Sequence, residues 1–244
     1  MDLRTAASTD RDGTHDPGVV LPSVRITLAI NPTEVSSAGD LRYEWHVLSA
    51  HVLDDSDAAA FVADGLRREV DAVAFLAGEA TVDARGLAKD VSVRGDAEVD
   101  PGDTPQMVEQ IRQTLRDLSA PFPEEKVGVG GRWRKVSEIH ASNVRLEQGE
   151  TLTLLEGHAG HGVVQDELTQ MVLGQTSGSR SADSGVPSML ATGQSRTRFD
   201  LERLVPQTVF DGTTEMVTPA STDGRSQRMT MILRVSISIE GSVR

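Results

Sequence analysis

Two histidines near the middle of the chain have the spacing of metal ligands. His158 and His161 form a His-x-x-His pattern, which can hold zinc when both residues lie on one face of a helix. The glycines within and beside the pattern favour a loop or a hairpin at this place instead. The sequence places no third ligand with the pair, although Asp166 and Glu167 follow it. A metal-dependent enzyme is therefore one hypothesis, but the pattern favours a chain without a metal or other cofactor.

Other catalytic patterns are weaker still. The segment VGVGG (residues 127–131) has the composition of a phosphate-binding loop, but it precedes a predicted strand, whereas nucleotide loops follow a strand and open a helix. No Gly-x-Ser-x-Gly elbow is present, and the serines around Ser177 belong to a segment of low complexity. The chain has no cysteine, which excludes thiolate nucleophiles, disulfides and cysteine metal sites. We therefore predict a protein that is not an enzyme.

The composition excludes two classes of partner. The net charge of −13 argues against a nucleic-acid or anionic-membrane surface, because such surfaces need clustered Lys and Arg. No apolar run approaches the ~18 residues of a membrane-spanning helix. With 38% hydrophobic and 25% charged residues, the chain is typical of a folded globular protein with a sizeable core.

The clearest structural pattern is a long strand near the C-terminus, over residues 228–240. Apolar side chains alternate with mostly polar ones through the whole segment, which is typical of a strand with one buried face. Its length would be about 40 Å, twice that of an ordinary strand, and strands of this length are usually bent. The apolar set is Met229, Met231, Leu233, Val235, Ile237 and Ile239.

Two amphipathic helices precede a series of strands. The first runs from Asp54 or Asp55 to about Val70, and the second covers residues 105–118, with Thr104 as its capping residue. Alternation also predicts strands at residues 24–30 and 41–47 and a hairpin over residues 73–93, with its turn at residues 83–86. From residue 132 onward the chain reads as strands.

These elements predict an α+β fold: a strongly curved antiparallel sheet, or half-barrel, with the two amphipathic helices on its concave face. We predict a flexible N-terminal tether over residues 1–22 and a single domain over residues 23–244, with an exposed loop at residues 174–187. Two small domains that meet near Pro121 are the alternative.

A resemblance to a known family supports this interpretation. The segment PFPEEKVGVGGRW (residues 121–133) is similar to a P-x-P-x-x-x-V-x-V-G-x-x-W junction in poorly characterised bacterial secreted proteins and lipoproteins. TTEM (residues 213–216) and MTM (residues 229–231) are also like their C-terminal part. Those proteins resemble the periplasmic lipoprotein carriers of the LolA/LppX-like fold, a curved antiparallel half-barrel with helices on its concave side.

The resemblance covers a little over half of the chain and implies a location in the bacterial periplasm or cell envelope. This chain departs from the family in having neither a signal peptide nor a lipid-anchor cysteine. A complete chain without them would be cytoplasmic.

We therefore predict a non-enzymatic envelope protein that binds a lipid, an acyl chain or a lipidated protein between sheet and helices. Methionine and a few aromatic residues make an adaptable apolar wall, although the same side chains would also form an ordinary core. The alternative is an interaction or scaffold module with a solid β core and an acidic surface. The sequence fixes no oligomeric state. The predicted ligand-binding residues are Tyr43, Trp45, Phe61, Leu66, Met107, Ile111, Met229, Met231 and Leu233.

Overall fold

The computed structural model describes residues 1–11, 14–53, 60–95, 105–116, 121–141, 144–175, 188–222 and 225–241. The elements of the first half are β1 (Asp2–Arg11), β2 (Thr14–Val20), β3 (Val24–Val35), β4 (Leu41–Val52), α1 (Ala60–Val73), β5 (Ala77–Val82), β6 (Ala88–Val91) and α2 (Pro105–Arg116). The second half consists of β7 (Arg132–Ala141), β8 (Val144–His158), β9 (His161–Gln175), β10 (Ser188–Asp200), β11 (Gln207–Thr222) and β12 (Arg225–Ile239).

All strands belong to one open antiparallel sheet. Its order is β6-β5-β4-β3-β1-β12-β11-β10-β9-β8-β7, and β2 pairs with β1 outside this path. From β7 to β12 each strand pairs with the next in the chain, whereas β1 lies between β3 and β12. The two ends of the chain therefore meet in the middle of the sheet.

The predicted α+β half-barrel with two amphipathic helices on its concave face is wrong. Strands hold 66% of the described residues, in an antiparallel sheet that does not close, and only two helices accompany them. The helices contact β4, β6 and each other, so they cover one end of the sheet rather than its middle. The physical reason is that an antiparallel sheet can leave one of its faces in solvent. Polar segments that lack a strong hydrophobic alternation can therefore join the sheet as additional strands.

The N-terminal segment differs from the predicted tether. Residues 2–11 and 14–20 form β1 and β2, and β1 pairs with β12 from Asp2↔Ser238 to Arg11↔Met229 without a break. Thr5 of β1 lies opposite Val235 in the apolar row of β12, so the hydrophobic alternation of β1 is weak. Its strand character comes from the partner on each side, which a local pattern cannot reveal.

The main core lies between the helices and β3–β6. Tyr43 and Trp45 of β4 are fully buried there, together with Ile111 and Leu115 of α2 and Val70 of α1. Burying such side chains stabilises the fold by roughly 1.5–3 kcal/mol each. A smaller cluster of Leu152, Leu154 and Val164, with Val127, Trp133 and Phe199 against it, lies on β7–β10.

A connecting segment, residues 121–131, joins the two ends of the sheet. The backbone N–H of Phe122 donates to the carbonyl oxygen of Arg85, in the turn between β5 and β6, at 2.8 Å. The ring of Phe122 meets that of Phe199 in β10 edge-to-face, with 5.0 Å between centroids. β5 and β10 are six strand positions apart, about 29 Å in a flat sheet. Because one residue reaches both, the sheet must bend toward this segment.

Other sequence predictions have mixed outcomes. The hairpin over residues 73–93 is confirmed by β5 and β6, and Gly86 has a φ of 83° in its turn. The long C-terminal strand is confirmed as β12. Of the predicted loop at residues 174–187, the first two residues belong to β9 and the others lie outside the described residues.

Candidate ligand-binding face

The strand register assigns every side chain of β10–β12 to one of two faces. Neither the β10–β11 nor the β11–β12 pairing has a bulge, so directly paired residues share a face throughout. On one of these faces, within the described side chains, there is no charged residue; we name it the apolar face. It consists of Met189, Ala191, Gly193, Ser195 and Thr197 on β10, Thr208, Phe210, Gly212, Thr214 and Met216 on β11, and Met229, Met231, Leu233, Val235, Ile237 and Ile239 on β12.

The apolar face is only half-buried. Met189, Met216, Met231 and Leu233 are all partly exposed to solvent, although β10–β12 are central strands of the sheet. On the same face of β4, by contrast, Trp45 is fully buried, and α1 packs against this strand. None of the residues of the main core comes from β10, β11 or β12. In the described parts of the chain, both helices leave the apolar face of β10–β12 uncovered.

A phenylalanine flattens the centre of the apolar face. Gly193 and Gly212 are paired directly, and the ring of Phe210 lies over both of them. A Cβ atom at Gly193 would lie 2.6 Å from Cε2 of Phe210, and one at Gly212 would lie 2.7 Å from Cζ. The two glycines therefore allow an aromatic ring to lie against the backbone. The apolar face is therefore flat at this place.

On the same side of the sheet, beyond β9, the strands β7 and β8 carry a buried polar group. Glu150 is buried and accepts hydrogen bonds from Nζ of Lys135 at 3.1 Å and from Nε2 of Gln148 at 2.7 Å. Lys135 and Glu150 are a direct cross-strand pair. Such a pair offsets part of the cost of taking the Glu150 carboxylate out of water. Gln148 and Glu150 thus form a polar region on this face of β8, next to the apolar cluster of Leu152 and Leu154.

The opposite face, which we name the polar face, carries two adjoining depressions of about 520 and 670 Å³. Gln194 and Asp211 line both of them. Arginines contribute to each: Arg196 and Arg198 to the smaller one, and Arg4 and Arg234 to the larger one. Threonine, serine and glutamine residues make up about half of the remaining lining. Solvated polar groups of this kind are ordinary protein surface.

The structure separates the predicted ligand-binding residues into two groups. Tyr43, Trp45 and Ile111 are fully buried in the main core, and Leu66 packs against it. Met229, Met231 and Leu233 lie on the apolar face of β12, outside this core. Phe61 and Met107 belong to α1 and α2, but their side chains lie outside the described part of the structure.

Sequence reasoning missed Met189, Phe210 and Met216, which complete the apolar face. On β11, Phe210 precedes Asp211 and Met216 follows Glu215, so the carboxylates at the neighbouring positions were the available signal. Their neighbours across the sheet are set by register, and register could not be deduced from the sequence.

Two buried polar atoms mark the main core. The hydroxyl of Tyr43 and Nε1 of Trp45 are buried without a hydrogen-bond partner among the described residues. Burial raises the pKa of Tyr43 to about 12, because a phenolate would be poorly solvated there. Both side chains belong to the main core together with residues of α1 and α2, and the two surface depressions described above lie elsewhere on the sheet.

His158 and His161 lie at a hairpin turn rather than on a helix. His158, the last residue of β8, pairs with His161, the first residue of β9, and Ala159 and Gly160 lie between them at positive φ values of 46° and 85°. Nδ1 of His161 lies 3.5 Å from Oδ1 of Asp200. Within the described residues, no group of three His, Asp or Glu side chains is placed to hold a metal ion.

Neither helix in the described parts of the chain has the length and apolar character needed to cross a membrane. No protein-family model matches the chain, and no curated protein matches it. The resemblance to periplasmic lipoprotein carriers therefore stays a prediction.

Proposed function

We propose that this protein is a non-enzymatic binding protein that holds a hydrophobic ligand, of the acyl-chain class, against its apolar face. The observation that carries the proposal is the half-buried, uncharged surface of β10–β12, which the described helices leave uncovered. Covering apolar surface is favourable by roughly 25 cal/mol for each Å² removed from water. Contiguous apolar surface on a soluble protein commonly marks a binding site.

The chemistry of the face favours a hydrocarbon over an extended polypeptide. Each of β10, β11 and β12 has a hydrogen-bonded strand on both sides, so the face offers no row of free backbone groups. A peptide lying on it would lose the hydrogen bonds that its own backbone makes with water. A hydrocarbon chain has no such groups to lose.

The composition and length of the face also fit an acyl chain. Met189, Met216 and Met231 lie together, since Met216 pairs with both of the others. Methionine side chains are flexible and adapt to ligands of varied shape. From Met229 to Ile239 the apolar row of β12 extends about 33 Å. This proposal places the ligand on the open sheet, rather than beneath the helices as the sequence predicts.

The test is a titration of the full chain with cis-parinaric acid, a fatty acid whose fluorescence rises in apolar surroundings. We expect saturable binding to the wild-type chain. Met216→Gln/Met231→Gln keeps the size of both side chains and removes about 1–2 kcal/mol of apolar contact in total, which weakens binding roughly tenfold.

Gln194→Met is the matched control, because it makes the reverse exchange on the polar face of β10. We expect it to leave the affinity unchanged. Absence of saturable binding to the wild-type chain, or equal affinity of the wild type and the double variant, would contradict the proposal.

A further inference from the structure

The sheet ends in a long strand with one unpaired edge. Within the described residues, β7 forms strand hydrogen bonds with β8 alone. The strand at the other end of the sheet, β6, has only four residues, whereas β7 has ten. An open edge of this length presents a row of free N–H and C=O groups to another strand.

The sequence of β7 is complementary to itself when two copies run antiparallel about Val136. With Val136 opposite Val136 of a second copy, Arg134 stands opposite Glu138 of that copy, and the two-fold symmetry repeats this pair. All three side chains are exposed, and Val136 is 55% accessible. They lie on the polar face, since Val136 pairs with Gly149, which pairs with Thr169.

Neighbouring registers match less well. Moving the centre of pairing to Lys135 would place this ammonium group opposite its own copy, and like charges directly opposite each other are destabilising. Shifting the register by one residue would join the polar face of one copy to the opposite face of the second copy. The register centred on Val136 is therefore the one that the charges favour.

The two charged groups are placed for this contact. Among the described residues, no carboxylate lies within ion-pair distance of Arg134. The guanidinium of Arg134 lies near Gly149 of β8, where an added Cβ atom would be 3.5 Å from Nη2. Oε1 of Glu138 lies 3.6 Å from Nη1 of Arg145, and the carboxylate can accept from a second guanidinium. An incoming arginine would therefore add to the existing pair.

We propose that two copies of this chain associate through antiparallel pairing of β7, which joins their sheets into one continuous sheet across a two-fold axis. The backbone hydrogen bonds of the two edges supply the contact, and the two Arg134–Glu138 pairs select the register. Because each chain carries a net charge of −13, association needs a local match of opposite charge of this kind. The inference does not depend on the proposed ligand.

Sedimentation equilibrium of the full chain over a range of concentrations tests the proposal with a charge-exchange cycle. We expect a reversible dimer for the wild type. Arg134→Glu and Glu138→Arg should each weaken the dimer at least about tenfold, because two attractive pairs become two repulsive ones. The combined variant Arg134→Glu/Glu138→Arg should restore the wild-type dimer, since the pairs form again with their signs exchanged.

Restoration by the combined variant separates this contact from a simple loss of folding, which two substitutions would not repair. A wild-type chain that stays monomeric overturns the proposal. This holds even if the β7 edge binds an added peptide, because the proposed partner is a second copy of this chain. A dimer that both single variants leave unchanged, or that the combined variant fails to restore, overturns it as well.

Discussion

Gly78 of β5 lies directly opposite Trp45 of β4, where the indole ring needs the space of a missing side chain. A Cβ atom at Gly78 would overlap the carbonyl oxygen of Ser92 and lie 2.8 Å from Cζ2 of Trp45. We expect Gly78→Ala to lower the free energy of unfolding by about 1–3 kcal/mol, the usual cost of overpacking a core. Urea denaturation measures this change.

Gly65 of α1 is the matched control, because a Cβ atom there meets nothing within 4 Å. In a helical position with open space for the new side chain, replacing glycine by alanine stabilises by roughly 0.5–1 kcal/mol. The two Gly→Ala variants should therefore have opposite signs. Equal effects would contradict the packing described for Trp45.

Tyr43 is the only tyrosine of the chain, so its ionisation can be followed without interference from another phenol. Burial raises the pKa of Tyr43 to about 12, against about 10 for an exposed phenol. The stability that the neutral hydroxyl contributes is fully present below about pH 10 and is lost as the pH rises through about 12. We expect the absorbance of tyrosinate to appear near pH 12 in the folded protein and near pH 10 in denaturant.

Tyr43→Phe provides the baseline for this titration, because it removes the signal. Folded wild-type protein that ionises near pH 10 would contradict the burial of this hydroxyl.

At the scale of elements, local patterns predict strands and helices where a hydrophobic face is strong. β12 and the β5–β6 hairpin follow alternation and turn chemistry, and α2 begins at Pro105 as its capping pattern predicts. β1 could not be predicted, since polar Thr5 lies opposite Val235 in the apolar row of β12 and the stability of β1 comes from pairing. Strand order could not be predicted either, because β1 and β12 are neighbours in the sheet but lie far apart in the sequence.

The connecting segment of residues 121–131 is an element whose role the sequence indicates only in part. Its prolines and Trp133 predict a junction, and Nε1 of Trp133 indeed donates to the carbonyl oxygen of Pro121 at 2.9 Å. The contact of Phe122 with both ends of the sheet depends on the bend of the whole sheet. No local pattern contains that information.

We expect Phe122→Ala to lower the free energy of unfolding by about 2 kcal/mol, less than the usual cost for a fully buried phenylalanine, because this ring is half-buried. Val129→Ala in the same segment should change it by less than about 0.5 kcal/mol, because Val129 is 64% exposed. Urea denaturation of both variants checks the comparison. Similar losses for the two substitutions would mean that the Phe122 contacts do not hold the ends of the sheet together.

At the scale of the whole molecule, the two faces of one sheet have different environments along its length. The helices cover the face at β4–β6, the connecting segment covers it near Trp133 and Phe199, and the apolar face of β10–β12 lies between these covers. The sequence predicts the apolar row of β12 correctly but assigns the helices above it. Which strands a helix covers depends on strand order, so the uncovered region could be located only in the folded chain.

Oxidation of individual methionines by hydrogen peroxide, measured by mass spectrometry with and without saturating palmitate, tests the central claim most directly. Met189, Met216 and Met231 lie on the apolar face, while Met171 is exposed on the polar face and serves as the internal control. We predict that palmitate slows oxidation of the first three several-fold and leaves Met171 unchanged. Unchanged rates at all four residues, or equal protection of Met171, would contradict a ligand bound on the apolar face.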